Sequence, residues 1–197
     1  MKRLSKTILA VVATGVVSCA LFSQQAQATA INGNINLAGS VQFDTNSLGT
    51  ATQVTTWFDI FNNAGFSSVA PGGTGDFAGI APGTQATMAQ PWIFNPSTPT
   101  PGLWSVGGFT FDLLTATVVT QNAQFLSISA TGIVSGNGFD PTAMEWSFTA
   151  QSAGGRPGTI FSFSANGVAV PDGGATVALL GLALTGVEVL RRKLKAA

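Results

Sequence analysis

An all-β fold is predicted for the body of this chain, on three observations. Apolar residues alternate with small polar ones at period two in window after window. No window of the body shows the i, i+3, i+4, i+7 spacing of an amphipathic helix. Gly, Asn and Pro punctuate the alternating runs, as turn residues do. One apolar face per strand suits an antiparallel sheet that is buried on one side and wet on the other. An antiparallel sandwich or barrel fits this pattern, and the expectation is a jelly-roll-like antiparallel β-sandwich over residues 29–168.

The elements follow in chain order. Ile31, Ile35, Leu37, Val41 and Phe43 share one side of an extended segment. Val54, Thr56, Phe58 and Ile60 repeat the alternation. Residues 62–102 are rich in Gly, Pro, Asn, Ser and Thr and read as long loops, with short strands near Thr84–Met88 and Trp92–Phe94. Phe109, Phe111 and Leu113 alternate with Thr110 and Asp112, and β-branched sequence continues over Thr115–Thr120. Leu126, Ile128 and Ala130 alternate with Ser127, Ser129 and Thr131. Met144, Trp146 and Phe148 alternate with Glu145, Ser147 and Thr149, and Phe161 and Phe163 with Ser162 and Ser164. The wet face is thus written in Ser, Thr, Asn and Gln rather than in charge.

The 197 residues carry no net charge, but the basic residues are segregated: Lys2, Arg3 and Lys6 at one end, Arg191, Arg192, Lys193 and Lys195 at the other. Between Ile31 and Val170 the only base is Arg156, against Asp44, Asp59, Asp76, Asp112, Asp140 and Glu145. A body without a basic face cannot release counterions from phosphate, so nucleic acid is excluded as a partner. There is no His and no Tyr, and the sole Cys is Cys19. The body therefore lacks the usual general base, thiol nucleophile and zinc ligands, and no metal or other cofactor is expected.

The two ends read as targeting segments. Met1–Lys6 is a positive n-region, Thr7–Phe22 an apolar run, and Ala26-Gln27-Ala28 an A-x-A cleavage pattern, with a second at Ala28-Thr29-Ala30. This reads as a signal peptide over residues 1–28, with Ala26 and Ala28 the small residues that precede the signal peptidase cut. Val16-Val17-Ser18-Cys19 is a loose lipobox that would lipidate Cys19, although the apolar run continues past it. At the other end, residues 169–197 divide into a Pro-Asp-Gly-Gly segment (motif 170–174), an apolar helix (175–190) and a basic tail (191–197). Sixteen helical residues rise about 24 Å, a little short of the roughly 30 Å hydrocarbon core. Arg191, Arg192, Lys193 and Lys195 would stay cytoplasmic and set the topology, leaving the body outside.

Val170-Pro171-Asp172-Gly173-Gly174, followed by the run Ala178-Leu179-Leu180-Gly181-Leu182-Ala183-Leu184 and the basic tail, resembles the PEP-CTERM class of C-terminal sorting signal, most closely its VPDSG-CTERM variant. Gly173 stands where the variant has Ser. The resemblance implies a substrate of an exosortase, an integral membrane enzyme with a catalytic Cys. The enzyme cuts near the motif and moves the body to the surface or extracellular polysaccharide of a Gram-negative cell. In physical terms Pro171 stops strand or helix, Gly173 and Gly174 let the backbone enter a narrow cleft, and Asp172 suits the helix N-terminus.

Other constellations carry less. The six acids are far apart in sequence, so an acid-pair hydrolase has no visible pair; Asp112 and Glu145 read as solvated strand residues. Gly72-Gly73-Thr74-Gly75-Asp76 lacks the Lys and following helix of a phosphate loop. Asp44 near Asn46, and Asp140 near Asn137, offer oxygen ligands for calcium without a calcium-loop spacing. Trp57, Trp92, Trp104 and Trp146 read first as core, and secondarily as sugar-stacking surface. The leading expectation is a non-enzymatic surface protein of the envelope or extracellular polymer. Its partners are a signal peptidase, an exosortase-type enzyme and, through the C-terminal helix, the membrane. The alternatives are a carbohydrate-binding module and a secreted hydrolase.

Overall fold

The computed structural model describes residues 29–152, 160–170, 181, 183–187 and 191. Among the described residues there are ten strands: β1 (Gly33–Phe43), β2 (Gln53–Phe58), β3 (Phe66–Val69), β4 (Gln85–Met88), β5 (Trp92–Ile93), β6 (Thr100–Val106), β7 (Phe109–Gln121), β8 (Phe125–Gly136), β9 (Phe139–Gln151) and β10 (Ile160–Val170). All ladders between them are antiparallel.

The sheet closes on itself. Strands β1, β3, β4, β6, β7, β8, β9 and β10 follow one another around a ring, and β10 pairs with β1. This corrects the expected sandwich: one sheet forms a closed, eight-stranded up-and-down barrel rather than two sheets with jelly-roll crossovers. The physical reason is the length of the closing ladder. β1 and β10 pair from Gly33↔Ala169 through Gln42↔Ile160, so neither strand keeps an open edge there. Alternation alone cannot distinguish the two architectures, because both bury one face of every strand. β2 branches from the upper part of β1, through Ser40↔Phe58 to Phe43↔Val54, and carries the two-residue β5 on its outer edge.

Two strands lie in the segment read as loop. β3 is a four-residue run in which Ser67 and Ser68 are buried. Ser67 Oγ donates to Met88 Sδ, and Ser68 Oγ accepts from Ile60 N–H, so burial of both hydroxyls is compensated. β6 contains Pro101 and Gly102, and its register shifts between Thr100 and Trp104. The Asp112 carboxylate repairs the irregularity by accepting from Gly102 N–H at 2.6 Å. Residues 109–121 form a single long strand with two register shifts. The residues skipped there, Leu114 and Val119, are the two exposed apolar side chains of β7, because a bulge residue need not follow the in–out alternation.

The inside of the barrel is aromatic. All four Trp, with Phe77, Phe94, Phe111 and Phe148, are almost completely buried. Trp92 meets Trp146 edge-on at 5.2 Å and Phe148 at 5.3 Å, while Trp57 stacks on Trp92 at 5.9 Å and Trp104 on Phe111 at 5.5 Å. Rings of this size fill the lumen of an eight-stranded barrel with side chains. Trp57 Nε1–H donates to the Ala89 carbonyl at 2.9 Å. The indole N–H groups of Trp92, Trp104 and Trp146 are buried and bond to no described residue.

Asp59, at the end of β2, is the one buried acid among the described residues. Burial pushes its carboxyl pKa up. Hydrogen bonds from the Asn63 and Gln85 amides (2.8 and 2.7 Å) and the Asn63 and Phe61 N–H groups (both 2.8 Å) outweigh that, and the pKa falls to about 2. The carboxylate thereby folds the 59–63 turn, whose Asn62 sits at φ 67°.

The first residues of β1 are locked to the β3–β4 loop. Asn32 N–H donates to Asp76 Oδ2 and Asp76 N–H to the Asn32 carbonyl, both at 2.8 Å. Gly33 (φ +124°) and Gly75 (φ +60°) face each other so closely that a Cβ on Gly33 would stand 2.1 Å from the Thr74 carbonyl oxygen, and one on Gly75 2.2 Å from that of Asn32.

Three outcomes are expected. Gly75→Ala destabilises the barrel by about 1–3 kcal/mol, measured by urea unfolding. Trp57→Phe costs about 0.5–1.5 kcal/mol more than Trp146→Phe, because only the first removes an indole hydrogen bond, the one to the part-buried Ala89 carbonyl; equal losses would contradict the assignment. The folded-state pKa of Asp59 lies below its unfolded value near 3.9, so its contribution to stability is complete above that value and is lost as pH falls toward about 2. Asp59→Asn should flatten the acid limb of a stability–pH curve in that window.

Candidate functional site at the end of the barrel

The sorting-signal residues begin on a rung of the barrel. β10 is paired on both sides nearly to its end: Ala169 lies opposite Gly33 of β1 and Met144 of β9, and Val170 opposite Ala143. Ala169 is buried and Val170 is exposed, in step with the alternation along the strand. The expected domain, 29–168, and the expected signal, 169–197, therefore share β10, with no spacer between the last barrel pair and the motif.

The start of the body is fixed at the same pole. Thr29 accepts from Asp140 N–H at 3.1 Å, Ala30 bridges to Asp140, and Ile31 N–H donates to Thr142 Oγ1 at 2.9 Å, with Ile31 fully buried. Because β1 and β10 are antiparallel neighbours, the first and last strands enter and leave at one end of the barrel. The tight turns at Gly107–Gly108 and Asn137–Gly138 complete that pole, and Asn137 Nδ2 ties them together through the Gly107 carbonyl at 2.9 Å. Its charged side chains among the described residues are Asp76 and Asp140.

Of the residues singled out from the sequence, Val170 is thus placed. Pro171, Asp172, Gly173 and Gly174 lie outside the described residues, as do Ala26 and Ala28 of the signal peptidase site and Arg192, Lys193 and Lys195 of the tail. Gly181, residues 183–187 and Arg191 are helical and exposed, and Thr185 Oγ1 donates to the Gly181 carbonyl at 3.0 Å. No helix of the described residues is long and apolar enough to cross a membrane; most of the expected span 175–190, like the signal-peptide helix, lies outside them.

The remaining candidates acquire structural uses. Burial of all four Trp at 0–1% exposure removes the sugar-stacking reading of those residues. Gly72–Asp76 is the segment that pins Asn32–Asn34, with Thr74 and Asn34 hydrogen-bonded side chain to side chain. Desolvation raises the Asp44 pKa, and bonds from the Thr52 hydroxyl and the Thr52 and Gln53 N–H groups (2.6, 2.9 and 3.3 Å) more than offset it, so the pKa is lowered. Asp112 holds Gly102. Glu145 is exposed two strands away from Asp112 and one row along the wall. Among the described residues no three His, Cys, Asp or Glu side chains are grouped to hold a metal ion.

One feature escaped the sequence reading. At the opposite pole a pocket of about 130 Å³ is lined by Phe125, Thr149, Ala150, Gln151, Ser162, Phe163 and Ser164. Its signal was available: Leu126 and Ile128 point inward, so Phe125 belongs to the outward phase of β8.

A family model of the VPDSG-CTERM motif matches residues 169–194. No curated protein and no solved structure matches the chain. The match begins at Ala169, on the last buried rung of β10. The chain carries a VPDSG-CTERM motif, an exosortase-type sorting signal that directs export toward the cell envelope or surface.

Proposed function

We propose that the chain is a non-enzymatic structural protein of a Gram-negative envelope or its extracellular polymer, delivered there by an exosortase-type membrane enzyme acting at Val170–Gly174. In this reading signal peptidase removes residues 1–28 at Ala26/Ala28. The helix 175–190 and the basic tail Arg191, Arg192, Lys193 and Lys195 hold the body at the outer face of the inner membrane until the cut. Extracellular polysaccharide is the partner of the finished barrel.

The observation that carries the reading is the match over residues 169–194 at the point where the barrel ends. A non-catalytic body is supported by the lack of His and of any Cys beyond Cys19, and by the use of Asp44, Asp59, Asp76 and Asp112 as acceptors for backbone N–H groups. Carboxylates committed in this way stabilise loops and are poorly placed to exchange protons with a substrate.

Two results are expected. In host cells lacking the enzyme, the body remains in the inner-membrane fraction, whereas wild-type cells show it at the surface or in the medium; a soluble periplasmic body in both strains would defeat the sorting reading. Truncation after Val170 retains every barrel pair, so that product is exported, folded and soluble in the periplasm with undiminished thermal stability. Truncation after Phe163 removes the closing ladder below Gly39 and should yield no folded body.

A further inference from the structure

The pocket at the pole opposite the motif has a chemical character of its own. Phe125 opens β8 on the outer face and is 36% exposed, a solvent-facing ring on a strand whose other outward side chains are mainly Ser and Thr. It is held in place by the turn before it: Asn122 Oδ1 accepts from Gln124 N–H and Phe125 N–H, both at 2.9 Å, and Asn122 N–H donates to the Phe125 carbonyl. Register places Gln151 beside Phe125, and Ser162 beside Gln151, in one row across β8, β9 and β10. The next row holds Ser127, Thr149 and Ser164, with the Thr149 and Ser164 hydroxyls 3.0 Å apart. Neighbouring side chains in such a row stand about 4.7–4.9 Å apart. Gln151 and Ser162 make no side-chain hydrogen bond to any described residue.

From this arrangement we propose that the pocket is a subsite for one sugar residue of a neutral polysaccharide. The proposal deepens the polymer-association reading above and rests on it for the source of the sugar. An exposed ring beside hydroxyl and amide groups matches a sugar, which offers an apolar C–H face and hydroxyls that both donate and accept. Among the described residues none that lines the pocket is charged, so none of them would balance a uronate, sulfate or phosphate. A pocket of about 130 Å³ takes one sugar residue at most, leaving the rest of the polymer to cross the wall. The row Thr117, Ser129, Ser147, Asn166 and Asn36 continues the uncharged surface there. Weak binding per site is the expected regime, because each neutral hydrogen bond replaces one to water.

The test is an NMR titration of isotope-labelled, detergent-solubilised full chain with cellohexaose, with maltohexaose, and with an acidic oligogalacturonate. At least one neutral oligomer should move the signals of Phe125, Thr149, Gln151, Ser162 and Ser164 saturably, and the acidic oligomer should not. Phe125→Ala should weaken the neutral binding at least ten-fold, and Ser162→Asp, at an exposed strand position, should do the same without touching the ring. Absence of shifts with both neutral oligomers, stronger binding of the acidic one, or unchanged affinity in both variants overturns the proposal. Fractionation with and without the sorting enzyme reports on sorting independently, so failure of the pocket and failure of the sorting reading are told apart.

Discussion

Everything in this molecule hangs on the ladder between β1 and β10. It joins the first strand of the body to the last, Gly33↔Ala169 through Gln42↔Ile160, and converts a meander with two open edges into a ring. An open sheet would expose the backbone of two long edge strands, an invitation to pair with other chains. Closure removes that hazard without edge lysines, which the body lacks. Closure also sets the size of the lumen, and eight strands leave an interior that side chains alone can fill. The four Trp and the Phe around them are the filling that this geometry requires. A body without disulfides thus relies on a large apolar core and a continuous ladder in place of covalent staples.

The ladder also decides the placement of the two chain ends. Antiparallel neighbours begin and end together, so Thr29 and Val170 lie at one pole, where Asp140, Thr142 and Asp76 fix the entering strand. In the proposed route a precursor held at both ends would fold between them without strain, because Thr29 and Val170 share that pole.

Much of this was legible in the sequence, and the reasons are local. Period-two alternation read β1, β7, β8, β9 and β10 because those strands have one wet and one dry face; in β2 the expected phase Val54, Thr56, Phe58, Ile60 fails after Val54, because the bulge against Gln42–Phe43 turns Trp57 and Asp59 inward and leaves Ile60 exposed. The motif at Val170–Gly174 was legible because recognition signals are contiguous. β3 was not, since Ser67 and Ser68 are both buried and present no alternation. β6 was not, since Pro101 and Gly102 read as a turn until Asp112, ten residues on, accepts the Gly102 N–H. The choice of barrel over sandwich was invisible for a deeper reason: it depends on which strand β10 meets across 130 residues of chain, and the alternation of each strand is identical in either outcome. The Trp residues illustrate the same limit, since only closure determines that their phase faces a sealed lumen.

The order of strands carries a consequence for delivery. β10 is the last strand of the described residues, so in the proposed route the ring cannot close until nearly the whole body has been exported, and the Pro171-Asp172-Gly173-Gly174 segment follows its last residue directly. Closure and arrival of the membrane-stopping segment are therefore almost simultaneous in the proposed route. A cut beyond Val170 releases a barrel with every rung in place. A cut upstream of Ala169 would instead expose the buried Met144 and Ile35 side of the wall, against which Gly167 packs so tightly that a Cβ there would stand 2.9 Å from Met144 Sδ. The fold thus places a physical limit on where processing can occur, because the strand that completes the core is also the strand that presents the signal.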